Sequence, residues 1–364
     1  MADSKCTYRF LSSSGLKVSN ICLGAMTFGE HQLLDVRPGQ CDEATAHAIM
    51  DRFAELGGNF IDTADAYQYG VSEEYVGSWL SMKQRDKFII ATKVWNNMDP
   101  TQQDPNKRGL SRHHILNSID GSLRRLQTDY VDLYQIHCWD YGTPLEETMT
   151  ALNDLVRAGK VRYIGASNVT GWQLQKIVEF GRTMGLNKWI TLQVQYSLLC
   201  RSTEWELVEI CRSEGLGLLP WSPLKGGWLA GKFTRDMTAA PAGTRVGWAS
   251  EKEGRKGEDD PDFQQYANNE NFWALDEVLK RVAKEQGKSV AQVSLRWLLQ
   301  KDVVSSVIIG VKTLQQLEDN MGAAAGWELT QQQMADLDAA SAVEIPYPYS
   351  LVWRANKATG RQRP

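Results

Sequence analysis

NFIDTADAYQYG, residues 59–70, sets a short apolar run directly against two carboxylates and a tyrosine. NFID (59–62) reads as a buried strand, which raises the question of what a chain gains by following it with Asp62, Asp65 and Tyr67. Seven further runs share its character: SNICLG (19–24), KFIIATKV (87–94), VDLYQIH (131–137), VRYIGAS (161–167), ITLQVQ (190–195), LGLLPW (216–221) and SSVIIG (305–310). Segments of helical spacing lie between them. Asp42 opens one that closes near Gly57 and Gly58, Ser111 caps another running to Leu126, and others fit 144–158, 171–185, 202–213, 313–325 and a pair within 271–300.

Strands apolar enough to be buried on both faces, alternating with helices, point to a parallel sheet. Closing eight of them removes the edges, so the fold expected is α/β, a (β/α)8 TIM barrel. An N-terminal β-hairpin over 7–18, turning at SSSG, caps its bottom; two extra helices and long substrate loops complete it. The barrel spans about 19–325. The Gly-rich, charged stretch 225–268 exceeds the usual loop length of about 12–15 residues and, with the tail 339–364, is expected to shape the cofactor and substrate sites. No Pro/Ser/Gly linker divides the chain, so residues 1–364 read as a single domain.

In a parallel barrel the βα loops gather at the C-terminal ends of the strands, and chemistry is sought there. Asp62 ends the second strand, Lys93 the third and His137 the fourth, while Tyr67 lies five residues beyond Asp62. A tyrosine of ordinary pKa, about 10, is a poor acid at neutral pH, and a neighbouring ammonium favours its phenolate. Lys93 can supply that charge, Asp62 can keep Lys93 protonated when buried, and His137 can hydrogen-bond a substrate carbonyl. Asp65 reads as a helix or turn cap. Singly each signal is weak, but four complementary groups at three consecutive strand ends form a set.

At these residues the chain resembles the aldo-keto reductases, in particular the branch with aryl-alcohol dehydrogenase-like enzymes and potassium-channel β subunits. The resemblance runs from about Tyr8 to Ala325 through GLKVSNICLGAMTFG, NFIDTADAYQYGVSEEYVG, FIIATKV, LQTDYVDLYQIH, GKVRYIGASN, LQVQYSLL, WSPLKGGWLAGK and VIIGVKTLQQLEDN. It implies NADPH as cofactor, Tyr67 as general acid, Lys93 and Asp62 tuning it, and His137 positioning the carbonyl. Ser167, Asn168 and Gln193 match positions that hold the nicotinamide amide, Trp221 the aromatic stacked on its ring, and Thr27 and Phe28 a segment touching the cofactor. Gly310, Lys312, Gln316, Asp319 and Asn320 match the grip on the adenosine end. Many members carry arginine where Gln316 stands and glutamate where Asp319 stands, so Lys312 or Arg245 is expected to compensate.

The stretch WSPLKGGWLAGKF contains GxxxxGK from Gly226 to Lys232, but Phe233 follows where a phosphate loop needs Ser or Thr. It reads instead as a backbone belt around a pyrophosphate, using Ser222, Pro223, Leu224 and Gly226, with Lys232 as a point charge. Of the 13 tryptophans, Trp79, Trp172 and Trp297 read as packing residues. Trp95 and Trp139 lie two residues beyond Lys93 and His137, and so line the substrate pocket. An aromatic wall suits aromatic aldehydes or bulky ring ketones, xenobiotic or toxin keto groups among them.

Forty basic residues against 44 acidic ones, with no block of like charge, argue against nucleic acid or an anionic membrane as partner. The opening MADSKCTYRF lacks a signal-peptide core and no apolar run approaches the roughly 18 residues of a membrane span, so a cytoplasmic protein is expected. The six scattered cysteines show no metal-site spacing. Monomer is the default, and a small-molecule carbonyl substrate the expected partner. Two other readings stay open: an NAD(P)-linked alcohol dehydrogenase running oxidatively, and a cofactor-binding regulatory subunit. In the channel-associated relatives the position of His137 is Asn, and this chain keeps His.

Overall fold

A computed structural model of the chain describes residues 6–29, 40–251 and 261–357. Part of the expected insertion, 252–260, and the end of the expected tail, 358–364, lie outside the described residues. The hairpin forms as the sequence suggests, β1 (Tyr8–Phe10) pairing antiparallel with β2 (Lys17–Ser19). The eight apolar runs become β3 (Ile21–Gly24), β4 (Phe60–Asp62), β5 (Ile89–Val94), β6 (Val131–Ile136), β7 (Val161–Ser167), β8 (Trp189–Gln195), β9 (Gly217–Trp221) and β10 (Val307–Gly310). They pair in parallel, each with its neighbour in sequence, and β10 returns to pair with β3. The last seam is slender. It is an isolated parallel bridge, Leu218 to Val304, in which Leu218 donates to Val303 at 3.0 Å and Ser305 donates to Leu218 at 3.0 Å.

Inside the barrel the strand period of two sorts the side chains by depth. At the bottom Cys22, Phe60, Ile89, Ala91, Leu133, Ile190, Leu219 and Ile308 pack together, and Leu11 and Val18 of the hairpin plug them from below. Two residues further along β4 stands Asp62, along β5 Lys93, and along β6 Gln135. The inward face thus turns from apolar to polar toward the strands' C-terminal ends. The outward faces meet the helices in the main core.

Those helices are α1 (Glu43–Glu55), α2 (Val71–Leu80), α3 (Arg112–Leu126), α4 (Leu145–Arg157), α5 (Gly171–Met184), α6 (Leu207–Glu214), α7 (Arg245–Glu251), α8 (Phe263–Ala267), α9 (Glu270–Gln286), α10 (Val290–Leu299), α11 (Leu314–Met321), α12 (Gln331–Ala340) and α13 (Tyr349–Lys357). Asp42 and Ser111 cap α1 and α3 as expected, accepting from the amides of Thr45 and His114. The sequence gives no such notice of α2. Its N-cap is Gly70, in the left-handed region at φ 96°, and it carries a glycine in its middle. That Gly77 is a packing requirement: a methyl group there would collide with the backbone carbonyl of Arg125, so α2 and α3 meet backbone to backbone.

The described parts of the insertion are more ordered than their composition suggests. Trp228 stacks on Phe233 at 4.1 Å between centroids and on Phe263 at 5.8 Å, with Phe272 edge-on at 5.0 Å. With Val246, Tyr266 and Trp273 they make a separate aromatic core that fixes the described parts of 225–268. No helix among the described residues is long and apolar enough to cross a membrane.

Candidate active site

The polar residues at the barrel mouth are held by one another. The Lys93 ammonium donates to Asp62 Oδ1 at 2.5 Å, to the Thr63 carbonyl at 2.8 Å and to the Tyr67 hydroxyl at 3.2 Å. Burial pulls the Lys93 pKa down more than any other single influence, but Asp62 and the Tyr67 oxygen together outweigh it and hold it above the ordinary lysine value. Lys93 is therefore a fixed positive charge beside the phenol. The second oxygen of Asp62 accepts from Gln193 at 2.8 Å and Gln135 at 3.2 Å, so the carboxylate is satisfied without water.

Gln193, expected at the nicotinamide amide, also serves Asp62 through its side-chain nitrogen. Gln135 was not expected at all. It lies between Leu133 and His137 on the inward-facing positions of VDLYQIH, and that alternation is the signal that identifies it.

Tyr67 opens a tight turn, Tyr67–Gly70, in which Gln68 and Tyr69 take φ of 52° and 53° and Gly70 takes 96°. Two consecutive left-handed residues other than glycine are costly, and with Gly70 they fold the chain back so that the phenol reaches Lys93 on the neighbouring strand. His137 follows β6 directly, its amide donating to Val94 at 2.9 Å. Its ring stands edge-on to Tyr67 with centroids 5.8 Å apart. Burial, reinforced by the charge of Lys93, pushes the imidazole down to about 3, so it is neutral at physiological pH. Asn96, another residue not expected, holds its Nδ1 at 3.0 Å.

Asp65 is not a cap. It is fully buried behind the strands, and burial together with Glu73 pushes its carboxyl well above the usual carboxylate range. Trp79 and Trp297 are fully buried as expected, but Trp172 is 55% exposed and its ring meets that of Trp139 at 5.6 Å. Tyr141 meets Trp139 from another side at 6.5 Å. The aromatic rim therefore extends beyond Trp139, while Trp95 lies 5.5 Å beneath the Arg108 guanidinium.

The expected cofactor residues fall into three groups. At the nicotinamide end, Ser167 is buried and its hydroxyl has no hydrogen-bond partner among the described residues. Asn168, at φ 50°, donates to the His137 carbonyl at 2.9 Å and accepts from Trp221 Nε1 at 3.2 Å, which ties Trp221 to the mouth. In the belt, Ser222 and Gly226 have positive φ, Pro223 is buried, Leu224 is half-buried and Lys232 is exposed. At the far end the Lys312 ammonium reaches the Gly243 carbonyl at 2.7 Å, two residues before Arg245, so two cations flank one turn. Thr27, whose hydroxyl donates to Val311 at 2.7 Å, lies beside Gly310.

The remaining four pack or hydrogen-bond within the protein. Phe28 is wholly buried, and Asn320 nearly so. Gln316 accepts from the Lys312 amide at 3.0 Å. The Asp319 carboxylate accepts from Ser289 and Gln292, each at 3.1 Å, which binds α11 to α10.

The model of the Aldo/keto reductase family matches residues 20–342, and the chain belongs to that family. It is an oxidoreductase of carbonyl compounds. Among its relatives is norsolorinic acid reductase B of Dothistroma septosporum, 34% identical over 96% of this chain and 86% of that one. An oxidoreductase, YrpG, of Bacillus subtilis is 38% identical over 87% of this chain and 90% of its own. The NADP(+) aryl-alcohol dehydrogenase of Phanerodontia chrysosporium is 32% identical over 93% and 86% respectively.

Proposed function

We propose that the protein reduces an aromatic or bulky-ring aldehyde or ketone to the alcohol, with NADPH as the hydride source. The observation that carries this is the Lys93 ammonium, 2.5 Å from Asp62 and 3.2 Å from the Tyr67 hydroxyl, with the neutral His137 ring beside it. The residues fit the cofactor: the buried hydroxyl of Ser167, without a partner among the described residues and next to Asn168 and the half-buried Trp221, suits a carboxamide-bearing ring. Ser222, Leu224, Gly226 and Lys232 would carry the diphosphate, and Lys312 with Arg245 the 2'-phosphate end. When bound, the group supplies the hydride.

The chain's own part is acid catalysis. Lys93 stabilises the phenolate that Tyr67 becomes as it gives its proton to the carbonyl oxygen, and Asp62 keeps Lys93 charged. His137 donates a hydrogen bond to the same oxygen and fixes its position. Trp95 and Trp139, with the rim of Tyr141 and Trp172, would receive an aromatic or ring-fused substrate. The resemblance to a norsolorinic acid reductase and to an aryl-alcohol dehydrogenase supports that class. We further infer a single domain acting in the cytoplasm as a monomer on a small-molecule carbonyl substrate.

The test is loss of reduced-nicotinamide absorbance with NADPH, and in parallel NADH, against aryl aldehydes and cyclic ketones. Turnover with NADPH, faster on ring-bearing carbonyls, is expected. Preference for NADH would overturn the cofactor assignment, and absence of turnover on every member would overturn the reductase.

A further inference from the structure

A carbonyl oxygen has lone pairs and no proton, so a histidine that positions it must present N–H and not a bare nitrogen. In a neutral imidazole only one nitrogen carries hydrogen, and which one it is depends on what the other meets. Here Nδ1 meets the side-chain amide nitrogen of Asn96 at 3.0 Å. An amide nitrogen can only donate, so Nδ1 must accept, and the ring proton is left on Nε2. Nε2 has no hydrogen-bond partner among the described residues and remains available to a ligand.

Asn96 is itself held. It stands three residues beyond Lys93, two past the end of β5, with the buried His114 of α3 beside its backbone. That side of His137 is thus built from two neighbouring elements, β5 and α3.

We propose that Asn96 is the positioning residue that locks His137 in the Nε2–H tautomer, so that the ring can donate only toward the substrate oxygen. The inference rests on the reductase reading, because only a carbonyl substrate makes the direction of that proton matter. Asn96 touches no reacting atom and acts through His137 alone. Mispairing the tautomer of a catalytic histidine in a hydrolase triad costs about 10⁴ in turnover, and general acid–base groups are commonly worth 10²–10⁴. Loss of a lock rather than of the histidine should cost less, about 10- to 100-fold.

The experiment uses the full chain with NADPH and an aryl aldehyde, on wild type, Asn96→Leu, Asn96→Ser and His137→Ala. The chain has five histidines, so the His137 ring nitrogens can be assigned in two-bond proton–nitrogen spectra by their disappearance in His137→Ala. Wild type is expected to show a pure Nε2–H pattern, and Asn96→Leu a mixture of tautomers. In Asn96→Leu, kcat should fall about 10- to 100-fold while the KM for NADPH stays within twofold. In the His137→Ala background the same change should cost nothing further, which a merely structural role would not produce.

A wild-type Nδ1–H pattern, or an Asn96→Leu variant with unchanged tautomer and unchanged kcat, overturns the proposal. Asn96→Ser, smaller and polar, keeps the test readable if the leucine variant fails to fold. The spectra need no turnover. A protein with the expected tautomer but no reductase activity would sink the functional reading and leave the lock standing, and an active enzyme with the wrong tautomer would do the reverse.

Discussion

Two buried polar clusters lie back to back across β5 and β6. Inside the barrel Lys93 and Gln135 join Asp62 and Gln193, and each carboxylate oxygen has a donor. On the outer face the next residues back, Thr92 and Tyr134, face Glu73 of α2, Arg125 of α3 and Asp65. Glu73 accepts from Thr92 at 2.5 Å and from Arg125 at 2.7 Å, but neither Asp65 oxygen is paired with a side chain and the Tyr134 hydroxyl has no partner among the described residues. The inner cluster balances one anion with one cation. The outer one sets two carboxyl groups around one guanidinium, and burial with Glu73 close by drives the Asp65 carboxyl toward its neutral form. Strand alternation thus gives the same two strands one face for charge that must persist and another for charge that is suppressed.

The difference can be broken from either side. The largest effects are expected at Tyr67 and Lys93. Tyr67→Phe deletes only the transferable proton: kcat should fall about 10²- to 10⁴-fold while the dissociation constant for NADPH, read by fluorescence titration, barely moves. Wild-type turnover in that variant would remove Tyr67 from the mechanism. Lys93→Met should lose activity at least as fully and also stability, because it leaves Asp62 buried without its cation. Breaking such a pair costs about 3–5 kcal/mol, measurable by urea unfolding.

In the outer cluster Asp65→Asn should behave in the opposite way. A carboxyl whose folded pKa is raised contributes stability that is fully present below the unfolded value, about 4, and is lost as pH rises. The asparagine variant should therefore match wild type near pH 4 and exceed it at pH 8 by about 1 kcal/mol, with activity retained. A variant less stable than wild type at pH 8 would mean that Asp65 is charged and useful. The smallest expected effect concerns His137. Held down at about 3, it takes up no proton between pH 5 and 8, so the rate profile should show no inflection near 6.5. An inflection there that vanished in His137→Asn would place the ring in water instead.

The eight strands are legible because barrel strands are covered on both sides, and a run without polar interruption, such as Ile21–Gly24, is hard to read otherwise. The inward set Asp62, Lys93 and His137 is legible because polar residues at strand ends stand out against such runs. What escapes is long-range. Nothing local in VSEEYVGSWL announces that Gly77 is the contact point of two helices, and nothing around Trp228 announces that four aromatics, from Phe233 to Phe272, will gather on it. Asp65 misleads for a related reason. An aspartate after a strand is ordinarily a cap, and only the packing of α2 and α3 shuts this one away from water. Trp172 errs the other way, since its helix turns it outward to meet Trp139.

The hairpin does more than plug the barrel floor. Arg9 donates to the carbonyls of Val304 at 2.9 Å and Leu299 at 2.6 Å, and Ser12 bonds the Gly215 carbonyl, so a ribbon near the start of the chain clasps the seam between β9 and β10. During synthesis Arg9 emerges almost three hundred residues before the two carbonyls it grips. Until Val304 has left the ribosome the nascent sheet has two bare edges, β3 and β9, and the ribbon must wait for a partner made long after it.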